Sequence, residues 1–114
     1  MERVRVIFHV SDRLRWDRAL LNATNLLLDA GAENVEAEIL ANGPAVAAYT
    51  GEKADLLLRM EDLSRSGVKF LACRNALRMQ GIAEETLPHF VTVVPAGVTV
   101  LATRQRQGYA YIKP

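Results

Sequence analysis

The chain holds one cysteine, one tryptophan and two histidines in 114 residues, and each scarcity removes a kind of architecture or chemistry. A single thiol forms no intramolecular disulfide, so stability has to come from a packed core, and the cysteine usage fits a reducing compartment. Cys73, His9 and His89 are widely separated and no close-spaced Cys/His pair exists, so no metal site is expected. No apolar run approaches the roughly 18–20 residues of a membrane span. The opening "MERVRVIFHV" interrupts its apolar residues with charge and runs into polar "SDR", which is not the pattern of a signal peptide. Neither sign of charge dominates: 14 basic against 13 acidic side chains leave +1, and no basic stripe is present to neutralise phosphates. The phosphate-cradling patterns G-x-G-x-x-G and G-x-x-x-x-G-K-[ST] are also missing, and no cofactor is expected. The expectation is a cytoplasmic soluble protein with neither nucleic acid nor membrane as its partner.

What remains is the composition of a globular protein, half hydrophobic and a quarter charged, at the length of one ordinary domain spanning residues 1–114. "RVRVIFHV" (3–10) is β-branched and apolar on both faces, as a strand buried in a parallel sheet is. Ser11 or Asp12 caps the helix that follows. Its apolar residues Trp16, Ala19/Leu20, Ala23, Leu26/Leu27 and Ala30 recur every three or four positions, opposite a face marked by Arg15, Arg18, Asn22, Asn25 and Asp29. Gly31 stops it. The pattern then predicts a strand over 34–41, a turn at 42–44, a helical turn over 45–49 and a helix over 53–66. Strands over 68–72 and 90–94, a short helix over 76–80, a helix over 97–107 and a last strand over 109–112 complete the chain. Strands alternating with helices imply βαβ units, hence an α/β fold: a three-layer α/β/α sandwich around a mostly parallel five-stranded sheet.

Open α/β sheets bind ligands outside the carboxyl ends of their strands. Cys73 falls at such an end, as do Ser11-Asp12, the Asn42-Gly43-Pro44 turn and Pro95-Ala96-Gly97, with His9 near the same edge. If Asn75 caps the helix over 76–80, the thiol stands at a helix N-terminus, where the helix dipole and the adjacent Arg74 favour thiolate. The competing reading is a small buried hydrophobe, because free cysteine is among the most buried residue types. A Cys73–His9 nucleophile–base pair is conceivable on the same topology. His9 is otherwise a hydrogen-bonded core histidine, and His89 a solvated loop residue. Arg104 and Arg106 read as a solvated helix face. Tyr109 and Tyr111 fall on one side of the last strand and serve the core or a subunit interface.

The stretches "VIFHVSD" with "RW" after it, "LANGP", "VKFLACRNAL" followed by "GI", "VVPAGV" and the closing "RQGYAYIKP" resemble, in order and over essentially the whole chain, small members of the DsrE/DsrF-like family of sulfur relay and intracellular sulfur oxidation. The Ala-Cys-x-Asn segment and the Gly-Tyr-Ala-Tyr-Ile ending carry most of the likeness. The resemblance implies a flavodoxin-like sandwich assembled into homo-oligomers, commonly trimers or hexamers. It also implies a cysteine that carries a persulfide and exchanges it with a sulfur donor or acceptor protein, a place that Cys73 matches. Ala76 stands where many relatives have threonine, which removes a hydroxyl near the thiol.

These lines meet in one expectation: a sulfurtransferase-like persulfide carrier with Cys73 as the sulfur-bearing thiolate. Arg74 and Asn75 would support it, and His9, Asn42, Gly43 and Gly97 would line its pocket. Having no second cysteine, it would pass its sulfur to another molecule. The alternative is a non-catalytic homo-oligomeric binding or scaffold module with an inert Cys73. A small-molecule enzyme using His9 without sulfur chemistry ranks third.

Overall fold

Five short runs rich in β-branched and aromatic residues pair side by side. In the computed structural model, which describes residues 3–114, they are β1 (Val4–Val10), β2 (Val35–Ala41), β3 (Lys69–Cys73), β4 (Val91–Val94) and β5 (Ala110–Ile112). The sheet order is β4-β3-β2-β1-β5, and every pairing is parallel. Between the strands lie α1 (Trp16–Ala30), α2 (Ala54–Arg65), α3 (Arg74–Met79) and α4 (Gly97–Arg106). Asp12 begins the first helical segment by accepting a hydrogen bond from the Leu14 amide at 2.9 Å, as the sequence predicts. The segment 43–50, expected as a helical turn, is a 3-10 helix.

Handedness fixes the layers. β1 to β4 are laid down in one direction across the sheet, so right-handed crossovers put α1, α2 and α3 on the same face. After β4 the chain must return past three strands to reach the far edge, and the same handedness sends α4 over the opposite face. The two cores differ accordingly. On the three-helix face Val6, Phe8, Ile39, Ala41 and Phe70 pack under Trp16, Leu20, Met60 and Leu63. On the other face Ile7, Leu40 and Leu71 pack under Leu101 alone, with Val94, Val100 and Tyr109 half-buried around them. The expected α/β/α sandwich is the one observed, with a thick and a thin outer layer.

The 3-10 segment Gly43–Thr50 is pinned by aromatic residues. Trp16 donates its indole N–H to the Ala45 carbonyl at 2.9 Å, and Tyr49 donates its hydroxyl to the Leu71 carbonyl at 3.0 Å. Trp16, Tyr49, Phe70 and Phe90 then follow one another edge to face, with ring centroids 5.3, 6.5 and 5.6 Å apart. Burial raises the Tyr49 phenol well above its ordinary value and keeps it a neutral donor. The loop leaving β2 is thereby fixed to α1 and β3.

Arg104 does not join a solvated face. Its Nε donates to Glu38 Oε1 at 2.8 Å, on a carboxylate whose side chain is 4% exposed. Glu38 lies on the thin-layer face of β2, and α4 brings it a cation from 66 residues away in sequence. Arg106, on the other side of the helix, stays exposed as expected. Removing one partner of a buried pair strands a charge, so Arg104→Ala should lower unfolding free energy by about 2 kcal/mol, reduced from the fully buried case by the part-exposed guanidinium. Arg106→Ala should change it by less than about 0.5 kcal/mol. Urea titration of both variants checks the contrast, and equal midpoints would refute it.

Candidate functional site

The chain leaves β3 toward the three-helix face and leaves β4 toward the other. The carboxyl edge of the sheet therefore parts between these two strands, the kind of switch point at which open α/β sheets bind ligands. A cleft of about 460 Å³ opens there. Its walls are the Asn42-Gly43-Pro44 turn, then Cys73, Asn75, Ala76, Met79 and Gln80 after β3, and Ala96, Gly97 and Val98 after β4. No charged side chain stands among them.

Cys73 is the last residue of β3, paired in register with Val94, and is 7% exposed. The following helix begins at once. Cys73 itself holds the N-cap position in extended conformation (φ −71°, ψ 119°), with no side chain capping the first turn. This corrects the expected role of Asn75. Helix α3 starts two residues earlier than predicted, so Asn75 lies inside its first turn and offers its amide to the cleft instead of capping. The thiol is closer to the helix N-terminus than the sequence suggested.

Arg74 is also corrected. Its guanidinium grips Glu84 through Nε–Oε2 at 2.6 Å and Nη2–Oε1 at 3.3 Å, and it does not line the cleft. A cation held in a bidentate pair has little field to spare for a neighbour. The pair closes the ten-residue loop between the start of α3 and the 3-10 turn Glu84–Thr86. The hydrogen bond from Arg74, offset in part by desolvation and helped by the charges of Arg74 and Arg78, holds the Glu84 carboxyl below its ordinary value.

Gly97 opens α4 directly over the thiol. A Cβ there would meet Leu40 Cδ2 at 3.2 Å, Cys73 Cβ at 3.3 Å and Asn42 Cβ at 3.6 Å, so only glycine lets this helix end approach the sheet. Gly43 has φ +53°, and a Cβ on it would lie 3.2 Å from the Ser11 carbonyl oxygen, which brings the loops after β1 and β2 together. Both glycines therefore line the cleft for reasons of backbone approach.

His9 stands one step behind the wall. Its Nε2 lies 2.9 Å from Asn42 Oδ1 and its Nδ1 lies 2.7 Å from the Tyr111 hydroxyl. The neutral ring satisfies both contacts, Nε2–H donating to the Asn42 carbonyl oxygen and Nδ1 accepting from Tyr111. With both nitrogens engaged, His9 is not paired with Cys73 as a base, and the nucleophile–base expectation is not met. It positions Asn42. Tyr111, 39% exposed on the thin-layer face of β5, is the member of this set that sequence reasoning did not assign to the site. A separation of 102 residues left no signal for it. Tyr109 instead lies over the amino end of the sheet, with Arg5 Cζ 4.5 Å and Arg104 Cζ 5.6 Å from its ring centre. His89 is exposed, as expected. Among the described residues, no group of three or more His, Cys, Asp or Glu side chains is placed to hold a metal ion.

A family model described as the DsrE/DsrF-like family matches residues 17–114. The solved structure of a protein of unknown function, MTH1491 from Methanobacterium thermoautotrophicum, superposes with a TM-score of 0.83 at 33% identity, covering 97% of this chain and 99% of that one. The ychN protein from E. coli superposes with a TM-score of 0.78 over the full length of both chains at 16% identity, a likeness of fold. No curated protein matches the chain.

Two outcomes test this geometry. Gly97→Ala forces a methyl against buried Leu40 and Cys73 and should destabilise by about 1–2 kcal/mol, with slower alkylation of Cys73 in the folded protein. Thermal melts and iodoacetamide kinetics read both effects, and an unchanged melt would contradict the packing. The Arg74–Glu84 pair should fade with acid. A carboxyl held low in the folded state stabilises fully above its unfolded value and loses that contribution as pH falls through the folded one. The stability gap between wild type and Glu84→Gln should therefore be present at pH 7 and close below the ordinary carboxylate range. A gap that persists in acid would refute the assignment.

Proposed function

Because the chain belongs to the DsrE/DsrF-like family, we propose that it is a sulfur-relay protein that carries a persulfide on Cys73 and passes the outer sulfur between partner molecules. The observation that supports this most is the position of the single thiol. It holds the N-cap of α3 at the switch-point cleft, where the uncapped first turns of α3 and α4 meet and no carboxylate opposes an anionic sulfur. Asn42, Asn75 and Gln80 supply side-chain amide donors around it.

In the loading step the Cys73 thiolate attacks the outer sulfur of a donor persulfide. The donor's sulfur–sulfur bond breaks, its inner sulfur leaves as a thiolate with the electron pair, and Cys73 becomes the persulfide. An acceptor thiolate repeats the attack on the outer sulfur of Cys73, which leaves as thiolate, so the relay involves no net oxidation. With one cysteine per chain, the acceptor is another protein or a small thiol. In this reading the protein works in the cytoplasm as a homo-oligomer, a trimer or a hexamer.

The 7% exposure of Cys73 favours a second reading, a non-catalytic binding module whose cleft takes a ligand and whose thiol is inert. One experiment separates the two: intact-protein mass spectrometry after incubation with polysulfide, wild type beside Cys73→Ser. The relay predicts sulfur-sized additions (about 32 Da each) on the wild type, reversed by reductant and absent from the variant. A wild type that stays unmodified, with a thiol slow to alkylate until unfolded, would overturn the relay in favour of the binding module.

A further inference from the structure

Cys73 lines its cleft while only 7% exposed, so a molecule that exchanges sulfur with it has to enter between α3 and α4. Asn75, Ala76, Met79 and Gln80 recur at positions i, i+1, i+4 and i+5, which makes one face of α3 and its C-cap the first wall. Val98, next to Gly97, stands on the second. Met79 and Val98 are 86% and 71% exposed. Apolar side chains scattered singly over a surface need no account, but two on the helices that form one cleft mark a surface made to be covered. The nearest charges are turned away from it. Arg74 grips Glu84, and Arg78 lies close enough to help hold that carboxyl down. Asp12, beside the Ser11 carbonyl that Gly43 approaches, accepts from the Leu14 amide.

We infer that Met79 and Val98 are the specificity-determining lips of the Cys73 cleft. The molecule they admit carries its sulfur on a polypeptide segment with apolar, uncharged neighbours, in preference to a charged peptide or a small thiol. This rests on the sulfur-relay reading and names the chemistry of its partner. The thiol between the lips fixes what enters, and the walls fix its character. Apolar side chains on either side of a cysteine cover both lips as its sulfur approaches Cys73. An ionised side chain in the same place loses water and meets no opposite charge. The amides of Asn42, Asn75 and Gln80 carry both donors and acceptors, which suit the peptide groups of such a segment. A small thiol gains neither benefit.

Disulfide exchange tests the lips. The cysteine of an acetylated tripeptide amide, set between two leucines or between two aspartates, is joined to thionitrobenzoate. The Cys73 thiolate attacks the peptide sulfur, the sulfur–sulfur bond breaks, and thionitrobenzoate leaves with the electron pair, which absorbance follows. The readout is the ratio of the leucine rate to the aspartate rate, in which the reactivity of the thiol itself cancels. Free N-acetylcysteine amide gives the intrinsic ratio. The wild type should exceed that ratio by at least about 10-fold. Met79→Ser combined with Val98→Ser, both at exposed positions, should return it close to the intrinsic value, and Met79→Lys should lower it by favouring the aspartate peptide. A wild-type ratio no higher than the intrinsic one, or one that the serine pair leaves unchanged, would overturn the lips while the relay stands. A serine pair that changes the mass in sedimentation velocity would assign both residues to a contact between copies and overturn the lips as well. A thiol that attacks neither disulfide would also overturn them, and the relay with them only if polysulfide leaves the chain unmodified.

Discussion

The return of the chain from β4 to β5 is the constraint on which the rest of the molecule depends. Four strands laid down in one direction leave one face of the sheet bare, and a single ten-residue helix has to cover it. Gly97, Leu101 and Arg104 lie at helical spacing on the side of α4 that meets the sheet, and the strand beneath answers each of them. Along β2 and just beyond it, Glu38, Leu40 and Asn42 alternate onto that same face. Arg104 takes Glu38, Leu101 packs with Leu40, and Gly97 comes down between Leu40 and Asn42. Seven helical residues span about 10 Å and four extended residues about 13 Å, so the two rows match in length. One row of three residues thus covers the amino end, the middle and the carboxyl end of the bare face.

The candidate site is a product of that fit. A helix that approaches without a side chain at its first position comes to rest close above Cys73, and its turn away from α3 opens the cleft. The burial of Glu38 at one end of β2 and the neutrality of the cleft at the other have a common origin. α4 lays one cation, Arg104, onto the sheet and Glu38 engages it, so charge further along under α4 would go unpaired. Arg74, which might have charged the cleft, is turned outward by Glu84. The cleft around the sulfur is uncharged, with the apolar Ala76, Met79, Ala96 and Val98 beside the amide side chains of Asn42, Asn75 and Gln80.

Much of this could be read in the sequence because it is periodic. The β-branched runs, the α1 pattern and the glycines at turns place all five strands and four helices within a residue or two, and the family resemblance carries over nearly the whole chain. The errors have one physical source, which is pairing between residues distant along the chain. Asn75 looked like a cap because nothing local reveals that the strand runs straight into the helix at Cys73. Arg74 looked free because its partner is Glu84, and Arg104 looked solvated because its partner is Glu38.

The last strand shows how far the site reaches. β5 is three residues long, exposed, and held to β1 at an edge of the sheet. It would matter little if its task were to extend the sheet. Tyr111 gives it another, because its hydroxyl lies 2.7 Å from His9 Nδ1 and engages the second ring nitrogen. His9 Nε2 donates to Asn42 Oδ1, an oxygen that can only accept, which leaves the Asn42 amide N–H groups for the cleft. A rotated Asn42 would turn its oxygen toward the cleft instead of its N–H groups. The orientation of a wall residue beside Cys73 is therefore set from the opposite end of the chain, through one ring whose two nitrogens are both occupied.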